Sequence, residues 1–143
     1  MPDKQLQKLL EAADDEVIRT IRQALQRQGI SLTVSEFRIL ESVRERGAIS
    51  MGEIARYNHV SPGTLSIEVR RLIRKGYLRQ RHDPKDKRIV TLKCTDEADA
   101  VLDMMQNRQE NVSEQALQGL NEQDRQAFLG NLEKVLENLR KIK

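Results

Sequence analysis

Leu6, Leu9, Leu10, Ala13, Val17, Ile18, Ile21 and Leu25 recur every three or four residues. That is the spacing of one helix face, and it predicts an amphipathic helix over residues 3–28. Asp3 is placed to cap its start, and Gly29 stands where a left-handed stop is expected. Thr33-Val34-Ser35-Glu36 has the form of a capping box and opens a second helix, with Phe37, Leu40 and Val43 on one face and an end near Gly47. Ile49 is expected to form a strand stub. Ser50-Met51-Gly52-Glu53 has the form of a second box, before a short helix that buries Ile54 and Ala55. After a turn at Tyr57-Asn58-His59, Ser61-Pro62 starts another helix with the stripe Leu65, Val69 and Leu72 and a stop at Gly76. Two short helices joined by a tight turn, the second polar and basic on its outer side, predict a helix-turn-helix.

Beyond Gly76 the period changes. Tyr77–Arg81 and Arg88–Leu92 read as two strands joined by a polar loop over residues 82–87, a hairpin with a basic tip. Thr95 then caps a helix carrying Ala98, Val101, Leu102 and Met105. Asn121 caps a last one carrying Phe128, Leu132, Val135, Leu136 and Leu139. The predicted fold is mainly α: a winged helix-turn-helix with a β-hairpin wing, flanked by long N- and C-terminal helices. No repeat, low-complexity segment or linker marks a second domain. The chain is expected to be one domain over residues 1–143, with a winged-helix part at about 32–94 and flanking helices at about 3–28 and 95–141.

Composition narrows the function. Residues 56–93 hold eleven basic side chains against three acidic ones. The chain as a whole carries +3, so the remainder carries −5. A basic block within an acidic chain is the electrostatic footprint of a polyanion partner. One cysteine, Cys94, excludes an internal disulfide framework, and two histidines in separate loops give no zinc spacing. No phosphate-binding glycine loop, nucleophile elbow or catalytic triad is present, so an enzyme is not expected, and no cofactor is called for. Aromatic residues make up 3% of the chain, too few for the stacking platforms of an RNA binder. With no bilayer-length apolar run and no leader, the expected setting is the cytoplasm, without a membrane partner.

From about Leu32 to Thr95 the sequence resembles the MarR family of bacterial winged-helix regulators. The resemblance lies in Leu32-Thr33 with Phe37, Ile39 and Leu40; Glu53-Ile54-Ala55 with Val60-Ser61; and Thr64-Leu65-Ser66 with Val69, Arg71-Leu72 and Gly76-Tyr77-Leu78. Its sharpest part is the wing, Asp83-Pro84-Lys85-Asp86-Lys87-Arg88, with Asp and Arg two residues apart. Asn58, His59, Ile67, Glu68 and Ala98 depart from the family pattern. Tyr57 is expected to supply the packing that Asn58 does not, and His59 to tolerate a positive φ in place of glycine. Ile67 has two readings, a thymine-methyl contact and core packing.

The resemblance implies a homodimer built on the terminal helices, double-stranded DNA as the partner, repression, and a pseudo-palindromic operator. It also leaves room for a small-molecule effector between the dimer helices and the winged domain. The major-groove candidates are Ser61, Thr64, Ser66 and Arg70. Arg71, Arg74, Lys75, Arg79 and Arg81 are candidates for phosphates. Lys85, Asp86, Lys87 and Arg88 form the wing tip, where Arg88 is expected to enter the minor groove with Asp86 bracing it. Cys94 is read as a packed thiol. The competing reading is a winged-helix adaptor for another protein.

Overall fold

A computed structural model describes residues 2–143, with side chains from residue 4 onward. Its elements are α1 (Pro2–Arg27), α2 (Val34–Arg46), β1 (Ile49–Ser50), α3 (Met51–Tyr57), α4 (Pro62–Arg74), β2 (Leu78–His82), β3 (Val90–Cys94), α5 (Asp96–Ala116) and α6 (Glu122–Lys141). The cap expected of the Asp3 side chain lies outside the described residues. The chain divides into two compact units, the first ending at Arg108 and the second running from Gln109 to Lys143.

The first unit holds the core. α2 is buried well beyond one face: Phe37, Ile39, Leu40 and Val43 are at most 1% exposed. Ile21 and Leu25 of α1, Ile54 of α3, Leu65, Val69 and Leu72 of α4, Leu78 and Leu92 of the sheet, and Ala98, Leu102 and Met105 of α5 complete the cluster. The sheet order is β1-β3-β2, all antiparallel, with Ile49 opposite Leu92 and Leu78 opposite Cys94. Alternation along β2 and β3 therefore puts Leu78 and Leu92 on the core face, and Arg79, Arg81, Thr91 and Lys93 on the other.

Local chemistry explains most boundaries. The Thr33 hydroxyl accepts from the Glu36 amide, and the Glu36 carboxylate accepts from the Thr33 amide, closing the box at the start of α2. At α3 the box is only half made. Ser50 Oγ accepts from the Glu53 amide, but Glu53 Oε1 bonds back to the Ser50 hydroxyl rather than to its amide. α3 ends with His59 at φ 54°, as expected for a left-handed stop. The amides of His59 and Val60 return to the carbonyls of Arg56 and Ala55. α4 ends the same way at Gly76, whose amide returns to Ile73 while that of Tyr77 returns to Leu72.

The strands start later than the sequence predicts. Tyr77 completes the stop of α4, so β2 begins at Leu78. The amides of Arg88 and Ile89 are taken by Asp86, so β3 begins only at Val90. Tyr57 does not pack in place of Asn58. It is 46% exposed and lies under the Arg46 guanidinium at 4.1 Å. Asn58 instead donates to Ser42 Oγ and to the Ile54 carbonyl, satisfying the buried Ser42.

The second unit has no such interior. α6 buries no residue, and Phe128, Leu129, Leu132, Leu136 and Leu139 along it are each at least 37% exposed. Within the unit, Arg125 pairs with Glu114 at 2.9 Å and donates to the Leu120 carbonyl, closing the turn before α6. In the first unit, Leu6, Leu9 and Val17 of α1 are also exposed.

Candidate nucleic-acid interface

Ser61 caps α4: its Oγ accepts from the Thr64 amide at 3.2 Å and donates to the Thr64 hydroxyl at 2.9 Å. Pro62 occupies the first helical position, where its missing N–H costs nothing. Leu65, Val69 and Leu72 turn inward. Helical geometry then sends Thr64, Ile67, Arg70 and Arg74 outward, and all four are exposed. Ile67 is 55% exposed, which removes its core-packing reading. Ser66 and Arg71 are half-buried on opposite flanks of this face. The face thus combines two hydroxyls, an apolar side chain and several guanidinium groups, with no acid among them.

One edge of α4 is tied to the start of α2. The Ser35 hydroxyl shares its one proton between the two carboxylate oxygens of Glu68, at 3.0 and 2.9 Å. Lys75 Nζ donates to the Ser31 carbonyl at 2.9 Å and to the Glu36 carboxylate at 3.1 and 3.2 Å. Glu36 is fully buried. Lys75, grouped by sequence with the phosphate candidates, is therefore committed to an internal ion pair.

The wing tip is organised by two aspartates. Asp83 Oδ1 accepts from the amides of Lys85 and Asp86, at 2.7 and 3.1 Å, and the Asp83 amide donates to the Ile89 carbonyl. Asp86 then takes the Arg88 amide at 3.0 Å, Nε at 3.1 Å and a terminal nitrogen at 3.3 Å. These bonds, the side-chain one foremost, hold the Asp86 carboxyl below its ordinary pKa. The Arg88 side chain remains 91% exposed. Bracing of Arg88 by Asp86 is thus present, while Lys85 and Lys87 are exposed beside it. Asp83 lies outside the site residues that the sequence points to, although an aspartate before Pro84 is itself a turn signal. His82 adds an Nδ1 contact to the Lys87 carbonyl at 3.1 Å.

Arg79 and Arg81 belong to neither group. With Lys93 they line a cleft of about 780 Å³ beside the sheet, walled also by Val43, Arg44 and Asp99. Arg44 is paired with Asp103 at 2.6 Å, whereas Arg79, Arg81 and Lys93 have no ion-pair partner among the described residues. At the cleft's margin the Cys94 thiol donates to the Leu40 carbonyl. Burial, helped by Asp99 and partly offset by Arg44, raises its pKa to about 11. Among the described residues no cluster of His, Cys, Asp and Glu could hold a metal, and no helix is long and apolar enough to cross a membrane.

Comparison with known proteins places this architecture. The MarR family model matches residues 32–90. The chain is 31% identical to the HTH-type transcriptional regulator PecS of Dickeya dadantii over 115 residues, covering 76% of this chain and 69% of that one. It is 29% identical to the HTH-type transcriptional repressor MdtR of Bacillus subtilis over 99 residues, 69% of this chain. The match spans 61% of the length of MdtR. Among solved structures, Bordetella bronchiseptica BpsR, described for regulation of its DNA binding by 6-hydroxynicotinic acid, superposes with a TM-score of 0.76 at 26% identity, over 92% of this chain and 98% of that one. A winged helix with an Asp86-braced Arg88 at its tip, matched to these regulators in both sequence and fold, belongs to the MarR family.

Proposed function

We propose that the protein is a homodimeric, sequence-specific DNA-binding repressor acting in the cytoplasm on a pseudo-palindromic operator. The observation that carries this reading is Arg88: a guanidinium almost wholly exposed at the wing tip yet oriented by two hydrogen bonds to Asp86, which also takes the Arg88 amide. An exposed ion pair adds little to stability, so the fold itself gains little from the ordering of this side chain. A narrow minor groove attracts a cation presented this way. Ser61, Thr64, Ser66 and Arg70 read base edges in the major groove, with Ile67 available to a thymine methyl. Arg71, Arg74, Lys85 and Lys87 take phosphates and fix register. On this reading residues 1–143 form a single functional module. The apolar stripes of α1 and α6 are covered by a second copy, which spaces two recognition helices about one turn of DNA apart.

Titration against duplex fragments selected from genomic DNA, repeated at several salt concentrations, tests the reading. Steeply salt-dependent binding is expected. Binding that ignores salt, or no binding to genomic DNA, favours the adaptor reading instead. A stable monomer at micromolar concentration in sedimentation removes the dimer.

The cleft lined by Arg79, Arg81 and Lys93 favours a small organic anion as effector, which removes these two arginines from the phosphate contacts. The carboxylic acid that regulates BpsR is of this chemical class. Release of the selected duplex by an aromatic carboxylate, abolished in Arg79→Ala/Arg81→Ala, is the expected result. Release that persists in the double variant overturns it.

A further inference from the structure

We propose that Ser35–Glu68 and Glu36–Lys75 are positioning pairs that set the rotation and axial register of α4, so that they govern sequence discrimination and not overall attraction to DNA. The proposal rests on the reading of α4 as the groove helix.

The apolar stripe of α4 cannot do this alone. Hydrophobic contact is non-directional, and Leu65, Val69 and Leu72 would tolerate a small roll or slide of the helix over α2. Hydrogen bonds to charged groups are short and directional. Glu68 and Lys75 stand seven residues apart, about 10 Å along the helix axis and on the same edge. Both reach consecutive residues, Ser35 and Glu36, at the start of α2. That start is itself rigid, because Glu36 Oε1 simultaneously closes the capping box on Thr33. Two directional fixings along one edge define both rotation and translation of α4. A roll that displaced Thr64 and Arg70 from their base edges would have to break them.

The arrangement also reinterprets the charge of Lys75. Its ammonium meets a carbonyl and two carboxylate oxygens, so all three of its donors are used. Leaving them for a phosphate would strand the buried Glu36 carboxylate. Lys75 contributes to the basic block by count, but not to the surface that attracts DNA.

Binding to two duplexes, one selected from genomic fragments and one scrambled version of it, across a range of salt concentrations tests the proposal. In Ser35→Ala, a neutral change that leaves every charge in place, affinity for the selected duplex is expected to fall about tenfold, with the scrambled duplex and the salt slope unchanged. Ser35→Thr, which keeps the hydroxyl, is expected to restore discrimination. Lys75→Met is expected to show the same loss of discrimination, also without a change in slope. A purely stabilising role would lower the melting temperature of Ser35→Ala and leave the ratio of affinities intact, and that result overturns the proposal. So does Lys75→Met if it weakens both duplexes equally and reduces the slope by about 0.9, the signature of one lost phosphate contact. Should Lys75→Met fail to fold, Ser35→Ala decides alone. A wild-type protein that does not distinguish the duplexes overturns the DNA reading and this proposal with it. A wild type that does, with variants that still do, overturns the proposal only.

Discussion

The helix α4 and the wing tip, the two elements proposed to meet DNA, are held in opposite ways. α4 is anchored by three buried aliphatic side chains and two charged fixings to a helix more than thirty residues away in sequence. Residues 83–89 of the wing are held by bonds that never leave the loop and its strand ends. Geometry in the first case is a property of the whole core, whereas in the second it is written locally by Asp83 and Asp86. An element that reads base edges must be fixed closely, which takes packing and directional bonds to distant residues together. An element that presents one cation to a groove needs mainly to be oriented.

The sharpest way to separate the two is to damage each. Leu72 is fully buried on α4, and Leu72→Ala leaves a cavity in the core. A loss of about 2–5 kcal/mol is expected in urea denaturation, with DNA binding lost as the fold is lost. Unaltered stability would mean that the seat of α4 is softer than its burial implies.

Arg88→Ala stands next in size. It is expected to leave the denaturation midpoint where it is, because the side chain is 91% exposed and its ion pair with Asp86 lies at the surface. Affinity for a selected duplex at fixed salt should fall about tenfold to a hundredfold. The salt slope should drop by about 0.9 if the guanidinium displaces one counterion. Unchanged affinity would remove the wing from recognition.

Asp86→Asn is a smaller and subtler test, because charge and geometry predict opposite signs. Removing an anion near DNA should strengthen binding to any sequence. Loosening Arg88 should weaken binding to the selected one, by about threefold. The expected outcome is weaker selected binding together with stronger scrambled binding; strengthening of both would mean that Asp86 orients nothing. Because the Asp86 pKa is lowered in the folded protein, its contribution is complete above the ordinary carboxylate value of 3.8. It is lost only as pH falls through the folded value beneath that. Between pH 5 and 8, wild-type binding should be indifferent to this group.

The same contrast accounts for what could be read from the sequence. Period and caps located all six helices, the turn with His59 and the braced wing, since each depends on residues within a few positions of one another. The strand starts slipped because Asp86 claims two amides that would otherwise begin pairing. The charge of Lys75 is visible in the sequence, whereas its partner Glu36, 39 positions earlier, is not. Glu68 departs from the family pattern, and its partner Ser35 lies 33 positions earlier in the chain. Strand alternation puts Arg79 and Arg81 on the sheet face away from Leu78 and Leu92, which is legible from the sequence, whereas the cleft that they line is not. The stripe of α6 was evident, but a stripe does not say what covers it.

Cys94 offers the finest measure of the comparison, because it sits in β3 opposite Leu78, between the core and the wing. The thiolate is the reactive form, and a pKa near 11 in place of 9.0 leaves roughly a hundredfold less of it at neutral pH. Labelling by a maleimide at pH 7.4 should therefore be about a hundredfold slower than for an unfolded control, and should accelerate as pH rises towards 11. Arg88→Ala and Asp86→Asn should leave that rate where it is, since neither group contributes to the shift. Leu72→Ala should raise it, because opening of the core hydrates the thiol and removes the burial that suppresses its ionisation. A rate that rises with the wing variants would show that the tip and the core are mechanically joined through β3, and the two regions would no longer be independent.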